Sequence, residues 1–297
     1  MLARLLPTVI VAVGVGAAVV ATGPAASAAC DPTTDAAACA TAEASSQNAS
    51  TSQTAQKAID GVAGGYPGDH TTEWATIGGK AGSWLAITWP EEQQVGSVVL
   101  NDRPNVDDQV TAATIEFADG TTIMVPTLPN SGEALQLDFL PRATDTLRFT
   151  IDAVRSGTYN IGLSELGVRG EQQVASFLGT SRTIADADGV ARVLPRAVQT
   201  VEVVDGRRLL KIDVELAALA GRASTGASDF VIVDADGTRY EPVDGPDEGL
   251  GDHELEAGDE AAGAVYIEVP ERSPGLLLAY GPASSGDVIA TWTLNAP

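Results

Sequence analysis

Trp84-Leu85-Ala86-Ile87-Thr88-Trp89 alternates without a break. Leu85, Ile87 and Trp89 fall on one face and Ala86 and Thr88 on the other, the period of two that marks a strand buried on one side. The same grammar continues outward. Val98-Val99-Leu100 is a second apolar run, and residues 114–117 and 121–125 flank Ala118-Asp119-Gly120, a hairpin signal in which Gly supplies a positive φ. Leu135, Leu137 and Phe139 alternate, as do Leu147, Phe149 and Ile151. No window over this stretch sustains a helical period, so these short strands predict an antiparallel sandwich.

Gly170-Glu171-Gln172-Gln173 is polar and aperiodic and reads as a boundary. Beyond it, residues 193–204 and 209–219 are strand candidates around Asp205-Gly206. Phe230-Val231-Ile232-Val233 runs into Asp234-Ala235-Asp236-Gly237 and then Thr238-Arg239-Tyr240, another hairpin. Residues 244–260 are acidic and Gly-rich and read as a loop. Residues 265–269, 276–280 and 288–294 complete a second β set. The chain is expected to be all-β, with two sandwiches in 297 residues, each long enough to bury a core.

Composition narrows the function. Forty acidic against 17 basic side chains give a net charge of −23. Such a surface repels phosphate backbones and anionic lipid heads, which disfavours nucleic-acid and anionic-membrane partners. Residues 1–28 hold Arg4, an apolar run from about Val9 to Val20, and Ala26-Ser27-Ala28, the pattern of a secretory signal peptide. No later segment is apolar enough to span a membrane. The mature protein is therefore expected to be secreted, from a cell of bacterial type. In the N-terminal segment 29–40, Cys30 and Cys39 suit a local disulfide in an oxidising compartment. The rival is lipidation of Cys30, although Ser27 stands where such sites usually carry Leu.

Catalysis finds no positive support. His70 and His253 are the only imidazoles, each in a polar loop and neither in a His-Glu-x-x-His pattern. Gly78-Gly79-Lys80 is followed by Ala81, so it lacks the hydroxyl of a phosphate loop. Asp186-Ala187-Asp188-Gly189 and Asp234-Ala235-Asp236-Gly237 offer paired carboxylates without the further ligands of an EF-hand loop, and read as turns.

Several short elements occur in order over residues 41–170: Ala44-Ser45-Ser46, Ala58-Ile59-Asp60-Gly61, Thr72-Glu73-Trp74, Ser83-Trp84-Leu85, Arg148-Phe149 and Gly162-Leu163-Ser164-Glu165-Leu166. In this order they resemble a discoidin domain, the coagulation factor V/VIII C-type, galactose-binding-like module. The resemblance implies an eight-stranded antiparallel jelly-roll sandwich. It also implies a structural calcium ion, with Asp60, Thr72 and Glu165 as ligands and a carbonyl at Lys57; the insertion at residues 62–71 sets Thr72 apart from the family pattern. The alternative is a capped loop with a solvated Asp60. In the same way, glycan-binding loops are implied at one end of the sandwich. There Asp102, Arg103, Asn105, Asp108 and Gln109 crowd one loop and Tyr159 and Asn160 another, a set of directed donors, acceptors and a ring that suits a sugar. The alternative is that Arg103 and Asp108 pair to fix the loop. Trp74, Trp84 and Trp89 are expected in the core.

Residues 175–297 are similar to a telokin-like, immunoglobulin-type family of secreted bacterial domains. They carry it through Lys211-Ile212-Asp213-Val214, residues 228–240 and Thr291-Trp292-Thr293-Leu294. The leading expectation is a secreted, non-catalytic protein that binds a glycan or polysaccharide. The other is an extracellular adhesion or scaffold protein that binds a protein partner.

Overall fold

The computed structural model describes residues 35–170 and 174–294. The signal-peptide reading of residues 1–28, Cys30 and the polar break at 171–173 lie outside them. Among the described residues no helix is long and apolar enough to cross a membrane.

The first sandwich is built from β1 (Thr41–Ala44), β2 (Trp74–Ala75), β3 (Trp84–Asp102), β4 (Val110–Phe117), β5 (Thr122–Val125), β6 (Ala134–Val154) and β7 (Gly162–Arg169). Where the sequence suggests separate strands at 84–89 and 98–100, the chain runs as one. β3 and β6 are long enough to serve both layers. The first half of β3 pairs with β1 and the second half of β6, which continues to β4 and β5. The second half of β3 pairs with β7 and the start of β6, and β7 with β2. The register shifts between Thr88 and Gln93 and between Val95 and Ser97 mark where β3 crosses between the layers. All these pairings are antiparallel, which makes the jelly-roll arrangement. Leu85, Ile87 and Trp89 are buried inside it while Thr88 is exposed, as the alternation predicts.

Asp35 clips the start of the described chain to the end of this sandwich. Its Oδ1 accepts from Ala37 N–H and, across the layers, from Val168 N–H at 2.9 Å. Trp89 reinforces the clip by donating its indole N–H to the Ala36 carbonyl at 2.7 Å. Trp74 is fully buried, whereas Trp84 is half-buried with the Arg148 guanidinium 4.2 Å above its ring.

The second sandwich comprises β8 (Ser176–Phe177), β9 (Arg182–Ala185), β10 (Gly189–Val204), β11 (Arg207–Thr225), β12 (Phe230–Val233), β13 (Arg239–Tyr240), β14 (His253–Glu256), β15 (Glu260–Pro270), β16 (Leu277–Tyr280) and β17 (Ala290–Thr293). One layer runs β9–β10–β11, with β15 and β14 both pairing to β11. The other runs β13–β12–β16–β17–β8. Trp292 fills the space between them and donates to the Thr180 carbonyl at 2.8 Å. The segment 244–260, read from its acids and glycines as a loop, contains β14. Its acids stand on an exposed edge, where Arg222 and Ser224 of β11 bond Glu256 and Glu254, so acidic composition does not prevent pairing there. The two Asp-Ala-Asp-Gly stretches are turns: Asp186 accepts from Asp188 and Gly189 N–H, and Asp234 from Asp236 and Thr238 N–H.

The sandwiches are joined by a single parallel bridge and the contacts around it. β9 pairs in parallel with β6 through Asp138 and Ile184, and Met124 N–H of β5 donates to the Asp186 carbonyl at 2.9 Å. At the joint Arg182 Nε meets the fully buried Asp138 Oδ2 at 2.6 Å, while Gln136 supports the other carboxylate oxygen. Ala185 and Val190 belong to the first core, and Leu140 packs on the second.

Candidate functional site

Four loops meet at one end of the jelly roll: residues 61–73, 76–82, 103–109 and 155–161. Their meeting point is a charged cluster with almost no contact with water. Glu73, fully buried just before β2, accepts from Arg103 Nε at 2.9 Å and from the Arg103 terminal nitrogen at 2.8 Å. It also accepts from Gln53 Nε2 at 2.6 Å and from Tyr66 N–H at 3.0 Å. The other face of the Arg103 fork reaches Asp108 Oδ2 at 3.3 Å and the Asn160 carbonyl at 3.2 Å. Asp108 further accepts from Asn105 Nδ2 at 2.8 Å and Tyr159 N–H at 2.6 Å. One guanidinium thus ties three loops to two carboxylates, in the two-pronged geometry that suits arginine and not lysine. Gly65 lies so close that a Cβ there would stand 2.2 Å from Glu73 Oε2.

Asp102 closes the neck of the 103–109 loop. Its two oxygens accept from Arg103 N–H at 2.9 Å and Val110 N–H at 3.0 Å. Burial pushes its carboxyl up to about 7 from the usual 3.8, against the pull of those two N–H groups. Gln109 is occupied as well: Nε2 donates to the Leu128 carbonyl at 2.8 Å, and its N–H to Thr158 Oγ1.

The sequence-derived ligand set is therefore brought together but divided in role. Asp102, Arg103, Asn105 and Asp108 are each at most 9% exposed and are bonded to one another and to the backbone, so they brace the loops and do not face solvent. This corrects their reading as direct sugar contacts, and the alternative in which Arg103 pairs with Asp108 describes the geometry. Tyr159 is 75% exposed. Asn160 is half-buried and accepts from Gly78 N–H at 2.8 Å through Oδ1. The braced loops also present Tyr66, Ile77 and Val106, all at least half exposed, together with exposed Asp107 and half-buried Arg155, whose guanidinium bonds the Val106 carbonyl.

Glu73 is the residue that sequence reasoning passes over. It appears only as the middle of Thr72-Glu73-Trp74, and the one hint is a carboxylate set directly beside a buried tryptophan at the mouth of a strand.

The residues expected to hold calcium are only partly assembled. Glu165 Oε1 accepts from Gly61 N–H at 3.3 Å, and its Oε2 is buried with no hydrogen-bond partner. Burial, with smaller contributions from Asp35 and Asp60, pushes its carboxyl up to about 7 from 4.5. An orphaned carboxylate oxygen beside a second and third acid suits a hard cation with oxygen ligands. Asp60, however, is bonded by its own neighbour, Lys57 Nζ, at 2.9 Å. Thr72 donates to the Asp69 carbonyl within its own turn. Among the described residues no group of three or more His, Cys, Asp or Glu side chains is gathered to hold a metal; the fit rests on the orphaned Glu165 oxygen and the nearby Asp60. Cys39 is disulfide-bonded and no cysteine among the described residues is free. His70 is exposed and His253 half-buried.

Residues 35–169 match a protein family described as a domain of unknown function, DUF7402. No curated protein matches the chain. Among solved structures, the chain is similar to a family 32 carbohydrate-binding module of Clostridium perfringens in complex with galactose. That likeness has 20% identity, covers 44% of this chain and 94% of that one, and has a TM-score of 0.36. A chitosan-binding module from a chitosanase/glucanase of Paenibacillus sp. is 25% identical, covering 46% and 98% with a TM-score of 0.38. The secreted protein MPT63 of Mycobacterium tuberculosis is 20% identical, covering 42% and 100% with a TM-score of 0.36.

Proposed function

We propose that the first sandwich is a discoidin-like, non-catalytic module that binds a glycan on its braced loop face, in a protein exported by the segment at residues 1–28. The observation that carries this reading is Tyr159. It is an aromatic ring three-quarters exposed on a loop whose backbone is fixed from below by a buried carboxylate. A ring held in that way can stack on the apolar face of a sugar at little cost in conformational entropy. Asn160 follows it in the same loop, and Asp107 on the neighbouring loop and Arg155, which bonds the Val106 carbonyl, would supply donors and acceptors for hydroxyls. In this reading Asp102, Arg103, Asn105 and Asp108 are positioning residues, and Gln109 holds the loop's far end. The buried charges are mutually satisfied and closed to a substrate, which supports binding over turnover.

Calcium enters the proposal as a structural ion at Glu165 and Asp60, with main-chain carbonyls such as that of Lys57 and with the Lys57 ammonium displaced. The second sandwich, in this reading of immunoglobulin type, fixes the orientation of the first.

A polysaccharide and glycan-array screen of the mature protein tests the proposal. Saturable binding that falls about tenfold in Tyr159→Ala, the loss expected for one stacked ring, supports it. Binding that survives Tyr159→Ala and Asp107→Ala together would place the ligand elsewhere.

A further inference from the structure

The outer edge of β10 points beyond glycan binding. β9 covers this strand only at Val190, Ala191, Arg192 and Val193. From residue 196 to the hairpin tip, β11 pairs on one side, and among the described residues no strand pairs on the other. Nine residues, Arg-Ala-Val-Gln-Thr-Val-Glu-Val-Val, thus leave about 30 Å of open backbone edge. Folded proteins usually blunt such edges with proline, lysine or a bulge. Pro195 stands at the start, and register shifts fall between Pro195 and Ala197 and between Thr200 and Glu202. Beyond the second shift no lysine follows. Val201, Val203 and Val204 are 43%, 52% and 52% exposed. Phe177, 71% exposed, adds an aromatic ring nearby, since the turn that follows it bonds the Pro195 carbonyl through Gly179 N–H.

We propose that residues 196–204 pair antiparallel with the same segment of a second copy of this chain. The charge pattern selects that occupant. With Thr200 on the two-fold axis, Arg196 of each copy faces Val204 of the other and stands diagonal to its Glu202, within reach of an arginine, so the contact carries two opposite-charge pairs. Arg196 is half exposed and bonded to its own Glu215, so the second acid extends an existing pair. The location also minimises repulsion between two chains of net charge −23. The bases flanking the segment are already paired, Arg192 with Glu260, Arg196 with Glu215 and Arg207 with Glu268, so this edge brings little net charge of either sign to the contact.

The test is the mass of the mature, full-length protein by light scattering up to about 100 μM, where a contact of this limited size is populated. A concentration-dependent dimer is expected. Val203→Lys should weaken it about tenfold, because each substitution acts twice across a two-fold axis. In parallel, Thr200→Cys, exposed at the middle of the segment, should form a covalent dimer on mild oxidation. Thr88→Cys, exposed on the first sandwich, should not. A monomer at every concentration overturns the proposal. So does a dimer indifferent to Val203→Lys, or cross-linking that is equal at the two cysteines.

Discussion

Replacing Arg103 by Met should unfasten the loop face. The side chain is 5% exposed, and its two carboxylate partners, Glu73 and Asp108, are 0% and 5% exposed. Met fills most of the volume but leaves two buried acids with their cation gone. Breaking a buried pair in this way costs about 3–5 kcal/mol, most of it the desolvation of the charge left behind. For a sandwich of this size that corresponds to a fall in the melting midpoint of roughly 10–20 °C. Trp74 follows Glu73 directly and is fully buried, so urea denaturation followed by tryptophan fluorescence reads the loss. Arg103→Lys should rescue little, because one ammonium cannot hold Glu73, Asp108 and the Asn160 carbonyl in one plane. The triple variant Arg103→Met, Glu73→Gln, Asp108→Asn should recover much of the stability, since it removes the stranded charges as well. A single variant that loses under about 1 kcal/mol, or a triple no better than the single, would refute the argument that this ion cluster braces the loops.

Two further outcomes follow from buried carboxyls. Asp102 and Glu165 are both pushed up to about 7, mainly by burial. An acid whose pKa is higher folded than unfolded contributes stability below its ordinary value and loses that contribution as pH rises through the folded value. Metal-free protein should therefore lose melting temperature from these groups between about pH 4 and pH 7, and Glu165→Gln should flatten part of that slope. Calcium, which needs the carboxylate, should raise the midpoint more at pH 8 than at pH 5 in the wild type and not in Glu165→Gln; equal effects in both proteins would dissociate the metal from this residue. At the joint, Asp138→Ala leaves Arg182, 10% exposed, without its carboxylate. It should cost about 3 kcal/mol and open residues 176–182, whose Ser176 also bonds Arg182, to limited proteolysis, whereas an unchanged digestion pattern would show that the other contacts across the joint hold the sandwiches without this ion pair.

What the sequence reveals and what it hides divide along a physical line. Strand positions are legible because burial on one face imposes a period of two, and Leu85, Ile87 and Trp89 display it. The length of β3 is not legible. The polar residues around Pro90 and Gln93 look like a break, yet they are the exposed crossing of a strand that continues into the other layer. The crowd at 102–109 stands out by composition, but its role turns on a partner thirty residues earlier. Nothing in the spacing of Glu73 and Arg103 shows that two loops fold back upon one another. A polar loop open to a ligand and a polar loop sealed by its own ion pairs have the same composition; only burial separates them. Tyr159 stays exposed because the cluster needs it only through its backbone N–H, and Asn160 bonds the cluster only through its carbonyl.

The joint between the sandwiches gives these separate features a common consequence. Because β6 and β9 pair and Asp138 and Arg182 close the joint, the loop face of the first sandwich is fixed relative to the open edge of the second. Two chains joined along that edge would hold two loop faces at one set spacing. A sugar site of the proposed kind, built on one exposed ring, would be weak by itself, and a repeating polysaccharide would offer many copies of its ligand. Binding the second face then becomes intramolecular, and avidity can exceed the single-site affinity by about 10²–10⁴ with no new contact. That gain depends on rigidity, which is what a buried ion pair between two sandwiches supplies. On this argument the acidic surface has a role as well. A net charge of −23 would hold two chains apart over most of their surfaces and favour contact at that edge, where Arg196 of one copy would stand near Glu202 of the other.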